Sequence, residues 1–398
     1  MKLDKKAKRL SPIFVIVLTV FIDITGYGII IPLLPFIVEE FQAGPIALGI
    51  LIASFAIMQF FFSPLLGKIS DAKGRKPILL LSLFISLIGF TIFSFANSYL
   101  MLLLSRLIAG IATERAVAQA YVADITDLKS RVKEMGKIGA ALGAGFITGP
   151  SISAFLGGFG FSIPGFAAMS LNLINILFVL FFLPETDITS KESRVNAFES
   201  SGYLGGIRDA FKKPFFGFIF LIFFLVTLAF GTIPVIVPLL SVEFFSFGQF
   251  ELAFVFIYIG LIQIVMQGFL INALSNRLGE QKLIILGPVL MAMGAFLMPI
   301  FQNVILFFFS NSLLAAGFGI INTSVPAFLS KRISVDEQGS ILGVAGSVAS
   351  VANIPGPLVI GFVYAFAGYS VPFFVSSIIL IVASLVGLRA FRLNVNLD

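Results

Sequence analysis

The chain contains no Cys and no His. Without Cys there is no disulfide and no thiolate chemistry, and the redox compartment leaves no mark on the sequence. Without His the usual metal ligand and the usual proton carrier near neutral pH are both missing. Trp is also absent, so any aromatic belt at a bilayer surface must come from Tyr, with Phe filling the apolar body. Charge is scarce: only 12% of residues are Asp, Glu, Lys or Arg, about half the usual soluble value of roughly 25%. No helix-borne metal motif and no phosphate-cradling glycine loop of Walker type is present, so no cofactor or metal is expected and an ATP-driven pump is excluded. No nucleophile is paired with a base, which argues against an enzyme.

What is present is grease. Of 398 residues, 58% are apolar and 48 are Phe. Twelve apolar runs have the length that spans a bilayer as a helix: about 12–38, 46–67, 77–97, 99–123, 137–159, 162–183, 214–241, 250–273, 282–301, 304–330, 338–365 and 369–390. The Lys-rich start, Met1 to Leu10, resembles a secretory signal, but the run behind it is too long and lacks a small-residue cleavage site. It reads as a retained first helix, opened by Ser11-Pro12. The fold expected is an all-α membrane protein of two six-helix bundles, 1–183 and 214–398, joined by a polar cytoplasmic linker over 184–213.

The basic residues orient it. Apart from Arg106 and Arg115, every Lys and Arg lies in the N-terminal tail, in a loop after an even-numbered span, or after the last span. The opposite loops hold Glu39, Glu40, Glu243 and Glu251 instead. Both termini are therefore expected in the cytoplasm, and the net charge of +6 belongs to membrane topology rather than to nucleic acid.

The halves echo one another. Gly67, Asp71 and Gly74, in the loop Gly67-Lys68-Ile69-Ser70-Asp71-Ala72-Lys73-Gly74-Arg75-Lys76-Pro77, recur as Asn272, Asn276 and Gly279, each 205 positions on. Gly149-Pro150 recurs as Gly356-Pro357, and Gly26 with Pro32 as Gly231 with Pro238. A shared offset indicates a parallel repeat of six helices. Within the loop, Gly67 is expected at a close helix approach, Asp71 near a helix end and Gly74 at positive φ. Arg75 and Lys76 hold the loop to the cytoplasmic side.

Charges inside the spans mark where chemistry belongs. Asp23 lies about ten residues into helix 1, where a charge costs about 2.5–3.5 kcal/mol on insertion scales. It is either a proton or substrate site, or a permanent ion-pair partner. Arg106 lies too deep in helix 4 to snorkel, with Gly110 one turn on; Asp23 and Arg106 are expected to approach at middle depth. Glu114 and Arg115 are adjacent and point about 100° apart, so one faces a neighbouring helix and the other a cavity. Glu114 is a second candidate proton site, or local charge compensation. Gly149-Pro150 is expected to bend helix 5. Tyr27, Gln59, Arg115, Gln119, Gln263 and Asn322 are the polar candidates for contact with substrate, while Asn172, Asn175, Gln267, Asn311 and Asn353 bridge helices or line a cavity.

The sequence Gly-x-x-x-Asp-x-x-Gly-Arg-Lys at 67–76 resembles the signature loop of the major facilitator superfamily. Asp23 with Gly26-Tyr27-Gly28 and Pro32, Arg106 with Gly110, and Gly149-Pro150 extend the resemblance to its drug:proton antiporters, the branch of tetracycline and multidrug efflux pumps. That resemblance implies alternating access, antibiotic resistance, a small hydrophobic substrate exchanged for protons, and a monomer in the cytoplasmic membrane. It also implies that Asp71 contacts the second bundle, and that Arg106 couples to protons through Asp23. The charges at Glu114-Arg115 depart from the small residues that the family places there. A nutrient symporter or facilitator is the alternative within transport, and a transport-inactive scaffold or receptor the alternative outside it.

Overall fold

The computed structural model describes residues 10–112, 114–126, 128–185, 214–300, 302–332 and 335–395. Among these the regular structure is helical. Helix α1 (Pro12–Ile30) begins with Pro at its first turn, where no N–H is needed. A 3₁₀ turn around Pro32 (Ile31–Leu33) leads into α2 (Leu34–Glu40) and completes the first span. Then follow α3 (Gly44–Lys73), α4 (Arg75–Ser94), α5 (Tyr99–Ile111), α6 (Glu114–Ile125), α7 (Leu128–Leu156) and α8 (Ser162–Phe182). The second half holds α9 (Pro214–Phe230), α10 (Ile233–Phe245), α11 (Gln249–Ile264), α12 (Ile271–Leu278), α13 (Glu280–Leu297), α14 (Val304–Ser330), α15 (Val335–Ala352), α16 (Pro355–Ala367) and α17 (Ser370–Val395). A π turn, Val265–Leu270, joins α11 to α12.

Eleven helical stretches among the described residues are long and apolar enough to cross a membrane. The twelfth expected span, 99–123, is divided into α5 and α6: Ala112 leaves the helix with ψ 136°. Hydropathy alone gives no warning of that break. Conversely, helix 5 does not break at Gly149-Pro150; α7 runs through Pro150 to Leu156. Its counterpart does: α15 ends at Ala352 and α16 begins at Pro355.

The chain forms two compact units, Met1–Ile31 with Phe61–Lys191, and Pro32–Phe60 with Glu192–Asp398. In the first, α1 lies along α7 so closely that a Cβ at Gly149 would stand 2.6 Å from the Thr25 carbonyl oxygen and 2.7 Å from the Gly28 Cα. Glycine is what permits that backbone approach. An apolar core of Ile16, Val20, Leu79, Leu83, Val117, Tyr121, Val179 and Leu183 fills the space between α1, α4, α6 and α8. In the second unit, a Cβ at Gly49 would collide with the Pro357 carbonyl, and one at Gly361 would stand 2.9 Å from the Pro45 carbonyl. The N-terminal part of α3 thus packs backbone to backbone on α16.

Candidate functional site

The loop between α3 and α4 is built around Arg75. Gly74 ends α3 at φ +100°, a conformation that favours glycine, and the Glu185 carboxylate stands 3.0 Å from where a Cβ would be. The chain therefore turns sharply, and the Arg75 side chain, 7% exposed, is drawn inward. There its Nε donates to Asp124 Oδ2 at 2.8 Å, Nη1 donates to Ser70 Oγ at 2.6 Å, and Nη2 pairs with Asp71 Oδ1 at 2.5 Å. Glu185 Oε1 accepts from the backbone N–H of Arg75 at 3.0 Å and of Lys76 at 3.3 Å, and Lys76 Nζ donates to the Leu180 carbonyl at 2.9 Å. Asp71 sits in the last turn of α3, as expected. Gly67 does not sit at a close approach: a Cβ there would meet no described atom within 4 Å.

Asp124 and Glu185 were not foreseen as partners. Asp124 ends the span that carries Arg106, and Glu185 opens the polar stretch assigned to the linker. The rest of that stretch, 186–213, lies outside the described residues.

The intramembrane charges gather in the first unit. Glu114, 3% exposed, begins α6 immediately beyond the break, and its Oε1 accepts from Ser86 Oγ of α4 at 2.6 Å. The charge of Asp23 on α1 acts on Glu114, and that of Arg115 acts on Asp23. Arg106, 2% exposed in α5, lies over the Tyr27 ring at 5.6 Å from the centroid. That is a cation–π distance. Arg115 acts on Asp23, and Arg106 engages the tyrosine one turn further along α1. Glu114 faces a neighbouring helix while Arg115 and Gln119 are exposed, the division that adjacent positions on a helix impose. Gly110 is buried beside the break, and Gly28, Gly149 and Pro150 fix α1 on α7 nearby. Ser86 is the member that the sequence did not mark. A serine among apolar residues on α4 becomes significant only when the carboxylate it meets is known.

Gln59, Gln263 and Asn322 belong to the second unit, as do Gly356 and Pro357. Gln59 on α3 and Gln263 on α11 are half-buried, and Asn322 on α14 is exposed. Gly356 packs on α9, its Cβ position 2.8 Å from the Leu228 carbonyl. In the same unit Phe230 and Phe318 stack with ring centroids 3.6 Å apart and planes 6° apart. A cavity of about 240 Å³ is lined by Asn272, Ser275, Asn276, Thr323 and the ion pair Glu280–Lys331, whose Oε1 and Nζ are 2.6 Å apart. No cluster of three potential metal ligands occurs among the described residues.

Residues 16–279 and 261–396 match the family model of the Major Facilitator Superfamily. The class B tetracycline resistance protein of Escherichia coli is 34% identical over 354 residues, 86% of either chain. Multidrug resistance protein 2 of Bacillus subtilis is 28% identical over 366 residues, 91% of either chain. Among solved structures, the human organic anion transporter MFSD10 shares the fold, with a TM-score of 0.71 at 22% identity, over 94% of this chain and 98% of its own.

Proposed function

The chain belongs to the Major Facilitator Superfamily, and from that premise we propose that it exports hydrophobic, drug-like compounds across the cytoplasmic membrane in exchange for protons, by alternating access. The observation that carries the proposal is the set of charges inside the first unit. Asp23 is linked to both Glu114 and Arg115, and Arg106 lies on the Tyr27 ring one turn along α1, in a chain whose relatives include tetracycline and multidrug resistance proteins. Ionisable groups at membrane depth are expensive and are kept where they move an ion or hold a ligand.

In this reading Asp23 and Glu114 take up and release the coupling proton. Two carboxyls in mutual repulsion do not both hold a charge cheaply, so a proton is shared between them, and Arg115 offsets the charge that remains. Arg106 is held on the Tyr27 face, from which it biases the same cluster. Tyr27, Gln59, Arg115, Gln119, Gln263 and Asn322 contact the substrate, and the stacked Phe230 and Phe318 offer apolar surface for an organic molecule. The halves 1–183 and 214–398 act as the moving bundles, the stretch 184–213 joins them in the cytoplasm with both termini, and the working unit is a monomer.

Energised inverted vesicles test the proposal. Wild type should concentrate a fluorescent lipophilic cation such as ethidium and lose the accumulated dye when a protonophore is added. Mere equilibration of the dye, unaffected by the protonophore, would identify a facilitator and refute exchange.

A further inference from the structure

Helices α4 and α8 bring buried polar side chains into the bundle interior besides those of the charged cluster. Asn172 of α8 is 2% exposed, and neither its Oδ1 nor its Nδ2 has a hydrogen-bond partner among the described residues. Asn175, fully buried, donates from Nδ2 to the Thr19 carbonyl at 3.2 Å, while its Oδ1 is unpartnered in the same sense. Ser82 of α4 is fully buried and its Oγ is likewise unpartnered. Helical serines ordinarily satisfy themselves on the preceding turn, as Ser54, Ser94 and Ser105 do here at 2.6–2.8 Å. Ser82 does not, and Ser86, one turn on, gives its proton to Glu114 instead.

The register places these groups together. Helices α4 and α8 are antiparallel and pinned at both ends, by Gly165 against Ser94 and by Lys76 on the Leu180 carbonyl. Counting inward from the two ends, Asn172 falls level with residues 84–87 and Asn175 with 81–84. The Asn175–Thr19 bond sets α1 against α8, which puts Asn172 level with residue 22, beside Asp23. Both pairs point inward. Leu173, Ile174 and Leu177 of α8 and Leu81, Phe84 and Ile88 of α4 take the exposed faces. The result is two polar layers about 5.4 Å apart. One holds Asp23, Ser86, Glu114 and Asn172; the other holds Thr19, Ser82 and Asn175. Beyond them Ile16, Leu79 and Val179 make the next layer apolar.

A buried amide with no partner costs about 1–3 kcal/mol, and one such amide with a half-satisfied amide and an unpartnered hydroxyl at neighbouring levels is a setting in which buried water is held. We propose that Asn172 and Asn175 of α8 and Ser82 of α4 form a buried hydration site continuous with the Ser86–Glu114 hydrogen bond, and that its water solvates Glu114 when that carboxyl is ionised. This rests on the proton-coupled reading above. Of the charged groups, Asp23 of α1 acts on Glu114; α4 contributes Ser86, and α7, which also packs on α6, carries its charged residues Lys129, Arg131, Lys133, Glu134 and Lys137 in its first turns, before Gly139. The asparagines and Ser82 are thus positioning residues. They give the carboxylate a solvent inside the bundle that does not depend on access from either membrane face.

The test compares Asn172→Leu, Ser82→Ala and Asn172→Ser with Glu114→Gln in energised inverted vesicles, using ethidium across a range of pH, with ethidium binding to the purified proteins as a check on folding. Asn172→Leu keeps the branching of the side chain, is larger, and cannot hydrogen-bond water. It should bind dye normally, slow proton-driven transport about tenfold, and move its pH midpoint upward by about one unit. Ser82→Ala should shift the profile in the same direction by less, and Asn172→Ser should restore it towards wild type. If Asn172→Leu and Ser82→Ala keep the wild-type pH profile, the amide is idle in a dry core and the proposal is overturned. Asn172→Leu would then also gain thermal stability, since an unpartnered polar group has been removed. If Glu114→Gln itself concentrates dye as wild type does, the coupling assignment fails first. If Glu114→Gln fails to concentrate dye while the other variants behave as wild type, only the hydration site falls.

Discussion

The two halves share a helical plan and fill it with opposite chemistry. At the repeat offset of 205–207, Asp23 corresponds to Leu228, Ser86 to Met291, Arg106 to Leu313, Glu114 to Ile321 and Arg115 to Asn322. Where Ser86 meets Glu114 in the first half, the second closes α13 on α14 through glycine: a Cβ at Gly317 would collide with the Gly287 carbonyl, and one at Gly287 would stand 2.7 Å from Ile321. The span with the charges is divided at Ala112, while its counterpart α14 runs unbroken from Val304 to Ser330. The ion pair at the base of each half is present in both but with its signs exchanged, Arg75–Asp124 at 2.8 Å against Glu280–Lys331 at 2.6 Å. One helical plan therefore carries the ionisable Asp23, Arg106, Glu114 and Arg115 in the first half and uncharged residues at their counterparts in the second. Both halves close helix 3 on helix 4 through glycine, at Gly89 on Ala109 and at Gly294 on Ser310; the first adds the Ser86–Glu114 hydrogen bond.

Breaking the two ion pairs should separate them most. Arg75 is buried and serves Asp71, Asp124 and Ser70 together, so Arg75→Ala removes three charge-assisted contacts at once and should cost about 3 kcal/mol. Lys331 is 68% exposed, and Lys331→Ala should cost about 1 kcal/mol or less. Thermal unfolding of the purified variants checks both, and equal losses would show that burial does not distinguish the pairs.

Glu114→Gln should reduce gradient-driven dye accumulation by about 100-fold, or about 2.7 kcal/mol of barrier, with dye binding intact. Vesicle transport and equilibrium binding, measured side by side, make that distinction. Smaller still is the effect expected from the second half. Gly317→Ala should cost about 1–3 kcal/mol by overpacking, read from the unfolding midpoint, without changing the ratio of transport to binding in the molecules that remain folded. Least of all, Gly67→Ala enters open space within a helix and should stabilise by about 0.5–1 kcal/mol.

The architecture was legible because apolar length and loop charge are properties of the chain alone. Eleven spans stand where hydropathy puts them, and Gly74 takes the positive φ that its loop position demands. What escaped were properties of pairs. Ser86 is one of several serines in α4 until the rotation of α4 against α6 is known. Asp124 and Glu185 close on Arg75 from positions 49 and 110 residues away. The break at Ala112 lies in a run whose composition favours an unbroken helix. Pro150 lies inside a helix that continues through it, because a single missing N–H is tolerated where α1 packs against the same turn.

The account stands on the acids of the first half handling the proton. Its most direct test is purified protein in liposomes under an imposed pH gradient, comparing wild type with Asp23→Asn. Wild type should drive ethidium against its concentration gradient, while Asp23→Asn should bind the dye and fail to concentrate it. If Asp23→Asn accumulated dye to the wild-type level under the same gradient, the charges in the first half would not be the coupling site.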